Sequence, residues 1–278
     1  LFAIGFKGGA AVASNGLDAA LVATLVAGFV LSAVLPFIAF AMLRVLTNLS
    51  RIDAAAVAGH YGSISIVTFV AATSVLEGRA ISSEGYMVAV AAVMEAPAIL
   101  SALWLVSRGG SGRRMDSELM REIMLNGSIV LLVGAFVIGA ITGQEGLDKV
   151  SNFIVAPFTG VLCLFLLDMG LVAGRGLRES RGVLNMGAVA FGIIMPLVGS
   201  VFGLGAGLLI GLSPGGIALL MVLSASASYI AVPAAMRVAL PEANPSVYLT
   251  LSLGVTFPFN LTIGIPLYVA VSQALTGG

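Results

Sequence analysis

Ser224-Ala225-Ser226-Ala227-Ser228-Tyr229-Ile230-Ala231-Val232-Pro233 interrupts, near its middle, an apolar run at 215–240 that is otherwise long enough to cross a membrane. A second interruption, Gly62-Ser63-Ile64-Ser65-Ile66-Val67-Thr68, divides the apolar run at 53–76 in the same way. A helix needs about 20 apolar residues to cross about 30 Å of hydrocarbon. Backbone that leaves the helix at that depth is tolerated only where protein or a water-filled cavity satisfies its polar groups. Two such breaks therefore mark a place where something other than lipid is held, and broken helices of this kind belong to secondary transporters.

The composition around the breaks agrees. Of 278 residues, 59% are hydrophobic and only 26 are charged, 13 basic and 13 acidic. Soluble domains carry roughly 25% charged residues, so this chain cannot cover itself in water. Zero net charge leaves no electrostatic footprint for nucleic acid, and the single Cys163 excludes a disulfide framework and a cysteine metal cluster. The 35 glycines suit close packing of helices in a bilayer. The chain opens at Leu1 inside an apolar stretch, without a basic leader or a cleavage pattern, and reads as a trimmed start.

Nine apolar runs follow, near 1–13, 17–43, 53–76, 84–107, 119–143, 151–174, 182–211, 215–240 and 245–275. If they alternate sides, the linkers at 44–52, 108–118, 175–181 and 240–245 share one face. That face holds Arg44, Arg51, Arg108, Arg113, Arg114, Arg175, Arg178 and Arg181, with Arg121 and Arg237 at adjoining helix ends, ten in all. The other face has Arg79 and Lys149. The bias makes the arginine face cytoplasmic and sets the C-terminus outside an inner (plasma) membrane.

The chain also repeats itself. Phe2-Ala3-Ile4-Gly5-Phe6-Lys7-Gly8-Gly9 resembles Leu167-Asp168-Met169-Gly170-Leu171-Val172-Ala173-Gly174, the two breaks fall in corresponding runs, and each is followed by a helix with a central proline, Pro97 or Pro258. The copies are five spans apart, an odd number, so they must be inverted. The expectation is an all-α membrane protein of five plus five helices whose first helix is absent from this chain. Residues 1–107 form an incomplete first repeat, 108–118 a cytoplasmic linker and 119–278 the second repeat.

At a break, half-helix N-termini present unpaired N–H groups to an anion, and half-helix C-termini present carbonyls to a cation. The substrate-binding candidates are thus Gly62, Ser63, Ser65 and Thr68 from the first break and Ser224, Ser226, Ser228 and Tyr229 from the second. Extended backbone would place alternate serines on one side. Serines in membrane helices also bond back to a carbonyl one turn earlier, so each hydroxyl alone has a structural reading as well. Ionisable groups at membrane depth are Lys7, His60, Glu95 and Asp168. Lys7 and Asp168 are candidates for a salt bridge, and His60 reads best as a packed histidine. Glu95, two residues before Pro97, is an ion-coupling candidate together with Asp168, Thr256 and Asn260. The chain has no Walker A loop, one histidine cannot form a zinc pair, and Glu95 and Asp168 belong to non-equivalent helices. An enzyme is not expected.

Several of these segments together resemble a family. Ser226-Ala227-Ser228-Tyr229 leading to Pro233, Pro241-Glu242-Ala243-Asn244-Pro245-Ser246 and Gly264-Ile265-Pro266-Leu267-Tyr268 are similar to the C-terminal half of the bacterial sodium-dependent bicarbonate transporters best known from cyanobacteria. Ile4-Gly5-Phe6-Lys7-Gly8-Gly9, the Gly62 to Thr68 break, Leu76-Glu77 and Met94-Glu95-Ala96-Pro97 follow the same order in the first half. The resemblance implies crossed broken helices, a homotrimer, symport of bicarbonate with sodium ion as the transported cofactor, and a PII-like cytoplasmic regulator. It also marks departures: Tyr229 and Glu95 stand where the cyanobacterial members have aspartates, and the 108–118 linker is shorter. Asp168 would then supply a missing charge. The alternative reading is a sodium/proton or other cation exchanger that titrates Glu95 and Asp168.

Overall fold

The computed structural model describes residues 2–15, 18–107, 121, 127–179 and 185–276. Described residues form helices: α1 (Phe2–Asn15), α2 (Ala19–Leu46), α3 (Arg51–Gly62), α4 (Ile66–Gly78), α5 (Met87–Val93), α6 (Pro97–Ser107), α7 (Gly127–Ile154), α8 (Phe158–Glu179), α9 (Met186–Ile210), α10 (Pro214–Ala225) and α11 (Ala231–Ala239). The last, α12, runs over Pro245–Thr276. Its centre, Thr250–Thr256 and Asn260–Gly264, is wound as π-helix around Pro258, a winding common where a helix carries function. Among the described residues, five helical stretches are long and apolar enough to cross a membrane: Ala19–Leu46, Arg51–Gly78, Met87–Val106, Met186–Ile210 and Pro245–Thr276. The chain is a multi-pass membrane protein of helical fold. The 108–118 linker, with Arg108, Arg113 and Arg114, lies outside the described residues, as do Arg181 and 122–126.

Helix starts are set by side-chain caps that take up orphan N–H groups. Asp18 caps α2 and Asn185 caps α9. Ser50 accepts from Asp53 N to start α3, and Ser213 accepts from Gly216 N to start α10. Those two helices are both 12 residues long and both end in an extended serine, Ser63 or Ser226. The sides of the bundle follow from loop contacts. Asn244 N donates to Asp53 Oδ1 at 2.8 Å, which joins the α2–α3 and α11–α12 junctions on one face. Ser213 N donates to Glu84 Oε1 at 2.7 Å, which joins the α4–α5 and α9–α10 junctions on the other.

Two expectations change. The apolar runs at 119–143 and 151–174 are not separated where the first ends: α7 bends at Gly143 (φ 62°, ψ −155°) and continues as helix to Ile154. Gln144 to Asp148 at 2.8 Å and Lys149 to Glu145 at 2.7 Å are neighbours four residues apart that support the helix. Lys7 does not pair with Asp168. α1 lies against α7, with Gly9 beneath the Phe136 carbonyl and Gly139 beneath that of Phe6, and this places Lys7 3.7 Å from Glu77.

Candidate functional site

α3 stops at Gly62 because the next residues leave helical space: Ser63 sits at φ −90°, ψ 158° and Ser65 at φ −102°, ψ 107°. α4 restarts when the Ser65 hydroxyl accepts from Thr68 N at 3.2 Å, and Thr68 Oγ1 adds a bond to the same oxygen at 2.9 Å. A side chain at position 62 would drive into the Pro36 ring and meet the Ser32 carbonyl oxygen at 2.8 Å. Pro36 has no N–H to offer that carbonyl, so α2 presents an oxygen freed from its helix directly against the break.

The second break repeats these features. α10 ends at Ala225, Ser226 is extended at φ −83°, ψ 161°, and the Ser228 hydroxyl accepts from Val232 N at 3.4 Å as α11 begins. The helices reach further into the breaks than the sequence implied. Ser224 and Thr68 are helical, so the three alternate serines do not form one extended ladder.

The breaks meet. Ser228 N donates to His60 O at 2.8 Å. In the other direction, Ser65 N donates to the Ser226 hydroxyl at 2.9 Å, which itself donates to Leu223 O at 2.9 Å. Each interrupted helix thus uses the other to satisfy backbone groups that neither can satisfy alone. α12 closes one side of the crossing. Asn260 Nδ2 donates to Ala225 O, the last carbonyl of α10, at 2.9 Å, and its Oδ1 accepts from the Tyr268 hydroxyl at 3.1 Å. Thr256 Oγ1 donates to Gly192 O at 2.6 Å, a carbonyl freed by Pro196, and takes a hydrogen from the Tyr61 hydroxyl at 2.6 Å.

Among the described residues, four buried side-chain polar atoms lack a hydrogen bond: His60 Nε2, Ser63 Oγ, Ser224 Oγ and Tyr229 OH. All four belong to the two broken helices. The Tyr229 hydroxyl comes up to that of Ser65 without closing a bond, while its ring packs edge-on against Phe257 at 5.2 Å between centroids. Leaving a buried polar group unpaired costs about 1–3 kcal/mol, so their concentration here identifies where the fold keeps polar capacity in reserve.

His60, which the sequence presents as a packed histidine just before the first break, is packed but not fully satisfied. Its Nδ1 lies 2.7 Å from Ala56 O, a pure acceptor, so Nδ1 carries the proton and neutral Nε2 offers a lone pair. The ring stacks on Tyr248 at 4.6 Å. Being one turn before the break was the available signal.

Glu95 occupies a third interruption, Met94–Ala96, between α5 and α6, and is 6% exposed. Ser32 links it to the crossing: the serine carbonyl abuts Gly62, and its hydroxyl donates to Met94 O at 2.6 Å. Glu95 is therefore level with the first break. Asp168, in contrast, lies exposed on α8 and is not brought to this cluster. The structure gathers Gly62, Ser63, Ser65, Thr68, Ser224, Ser226, Ser228, Tyr229 and Asn260, with Thr256 tied to them through Tyr61 of α3.

Residues 1–273 match a family described as the Na+-dependent bicarbonate transporter superfamily. The chain belongs to this superfamily. It is therefore a member of a transporter family and not of an enzyme family, with bicarbonate and sodium as the family's substrates. No curated protein matches the chain. Membership gives the crossed breaks a context, because carriers bind substrate where discontinuous helices expose their ends.

Proposed function

We propose that this superfamily member imports bicarbonate together with sodium across the inner membrane, and that both are held where the broken helices cross. The observation that carries the reading is the reciprocal bonding of the breaks, with unpaired hydroxyls at Ser63, Ser224 and Tyr229. The N-termini of α4 and α11 supply N–H groups and positive dipole ends for an anion. The freed Ser32 carbonyl, the Ala225 carbonyl, Asn260 Oδ1 and the Glu95 carboxylate are oxygen donors of the kind a hard cation takes. The fit does not require Asp168, and the exchanger reading, which needs it beside Glu95, gains no support from its exposed position.

The inverted repeat is part of the proposal. It is supported by the paired 12-residue helices, by Ser50 and Ser213 as their caps, by Ser63 and Ser226 as their extended ends, and by Pro36 and Pro196 freeing carbonyls in the preceding helices. The face bearing Arg44, Arg51 and Arg237 is the cytoplasmic one. The trimer and the PII-like regulator rest on the resemblance alone.

A thermal-shift series on the purified protein tests the ligand pair. Bicarbonate should raise the melting temperature in sodium and much less in potassium, since a ligand that binds only the folded protein stabilises it. Equal stabilisation by every monovalent anion in either cation would refute the assignment.

A further inference from the structure

Asn260, one of the oxygen donors at the crossing, is held by a residue further along its own helix. Its Nδ2 donates to Ala225 O at 2.9 Å and its Oδ1 accepts from the Tyr268 hydroxyl at 3.1 Å. A backbone carbonyl can only accept, so Ala225 O fixes which end of the carboxamide is nitrogen, and Tyr268, facing the oxygen, has to donate. Asn260, Tyr268 and Ala225 are all buried. Among the described residues, no hydrogen bond besides that of Tyr268 reaches Oδ1, which leaves this oxygen a lone pair.

The contact depends on how α12 is wound. Eight residues of regular α-helix set two side chains about 80° apart around the axis and about 12 Å apart along it. Over Asn260–Gly264 the helix is π-wound, with Ile265 N bonded to Asn260 O, and so takes up one extra residue. That cuts the angular offset to about 20° and returns Tyr268 to the side of Asn260. Side chains on a helix lean toward its N-terminus, so the long phenol covers the distance that is left. Gly264 lies between the two: a β-carbon there would stand 2.5 Å from Asn260 Oδ1 and 3.1 Å from the Tyr268 hydroxyl. The glycine is the opening through which the phenol reaches the amide. The Tyr268 ring belongs to the same buried apolar cluster as Leu220 and Leu223 of α10, a packing role that phenylalanine would fill equally.

We propose that Tyr268 is a positioning residue for sodium: its hydroxyl, reaching past Gly264, holds the Asn260 carboxamide so that an oxygen lone pair, and not a second N–H, is offered to the cation. The inference rests on the proposed function, which counts Asn260 Oδ1 and the Ala225 carbonyl among the oxygens that sodium takes. A hard cation is coordinated by oxygens and repelled by amide hydrogens, so an amide free to turn binds it less well.

The test measures uptake of labelled bicarbonate into proteoliposomes at graded sodium concentrations. Tyr268→Phe should raise the sodium concentration for half-maximal uptake roughly three- to tenfold, while the bicarbonate KM at saturating sodium stays within about twofold of wild type. In an Asn260→Ala background the same substitution should cause no further rise, since residues that act through one contact are not additive. Gly264→Ala, which obstructs the contact from the other side, should give the sodium shift of Tyr268→Phe and add nothing to it. A sodium curve unmoved by both single substitutions overturns the inference. So does a Tyr268→Phe effect that persists in full without Asn260 or falls equally on the bicarbonate KM, the mark of a packing role alone. If wild-type uptake is itself indifferent to sodium, the proposed function fails and takes the inference with it, whereas a sodium response that these variants leave alone overturns the inference only.

Discussion

Ser226→Ala and Ser63→Ala remove the same atom from equivalent places, yet the structure assigns them opposite consequences. Ser226 Oγ accepts from Ser65 N and donates to Leu223 O, both at 2.9 Å and both buried. Its removal deletes two hydrogen bonds and leaves the Ser65 N–H unpaired at the crossing, a loss of about 2–4 kcal/mol in stability. Ser63 Oγ has no partner among the described residues. Its removal should leave stability unchanged or slightly raised. The cost falls instead on the ligand, since a hydrogen bond to a charged group contributes about 1.5–3 kcal/mol, or roughly 10- to 100-fold in apparent affinity. The assay pairs melting curves of purified protein with uptake kinetics in proteoliposomes. Ser226→Ala should show a clear fall in melting temperature, and Ser63→Ala a normal melting curve with a raised bicarbonate KM. Equal melting losses in both variants, or an unaltered KM in Ser63→Ala, would refute the division of the crossing into scaffold and ligand hydroxyls.

Glu95→Gln, which keeps the shape and removes the charge, should abolish most of the sodium dependence of uptake, whereas Glu95→Asp should keep it with a weaker apparent sodium affinity; sodium activation curves beside melting temperatures separate coupling from scaffolding. Asp168→Asn, on the exposed side of α8, should leave the sodium activation curve where it is. Gly62→Ala forces a methyl group into the Pro36 ring and should sharply reduce the yield of folded protein, measured by size-exclusion profile. Asn260→Ala frees the Ala225 carbonyl and should both lower the melting temperature and weaken transport, with Asn260→Asp recovering neither fully because it lacks the donor.

The breaks were legible in the sequence because clustered serines and a glycine weaken a helix at the middle of an apolar run, where lipid offers their polar groups no partner. Their edges were not, since Ser224 and Thr68 have no local property that distinguishes a last or first helical turn from extended chain. Lys7 illustrates a different limit. Its cost at membrane depth was plain, but the choice between Asp168 and Glu77 depended on α1 packing against α7 through Gly9 and Gly139, which no spacing along the chain encodes. Pro36 and Pro196 lie inside the apolar runs at 17–43 and 182–211. That the carbonyls they free face the first break and Thr256 required the assembled bundle. The place of His60 before the first break was visible in the sequence, but only the Nδ1 contact with Ala56 O fixes which nitrogen is left without a partner.

Coupling of an anion to sodium at the crossing is tested most directly by uptake of labelled bicarbonate into proteoliposomes at alkaline pH, with internal pH followed in the same vesicles. An inward sodium gradient should drive accumulation above the level reached in potassium, and sodium added without bicarbonate should leave internal pH steady. Proton movement on adding sodium alone, with no sodium-driven accumulation of bicarbonate, would contradict the account and identify a cation exchanger instead.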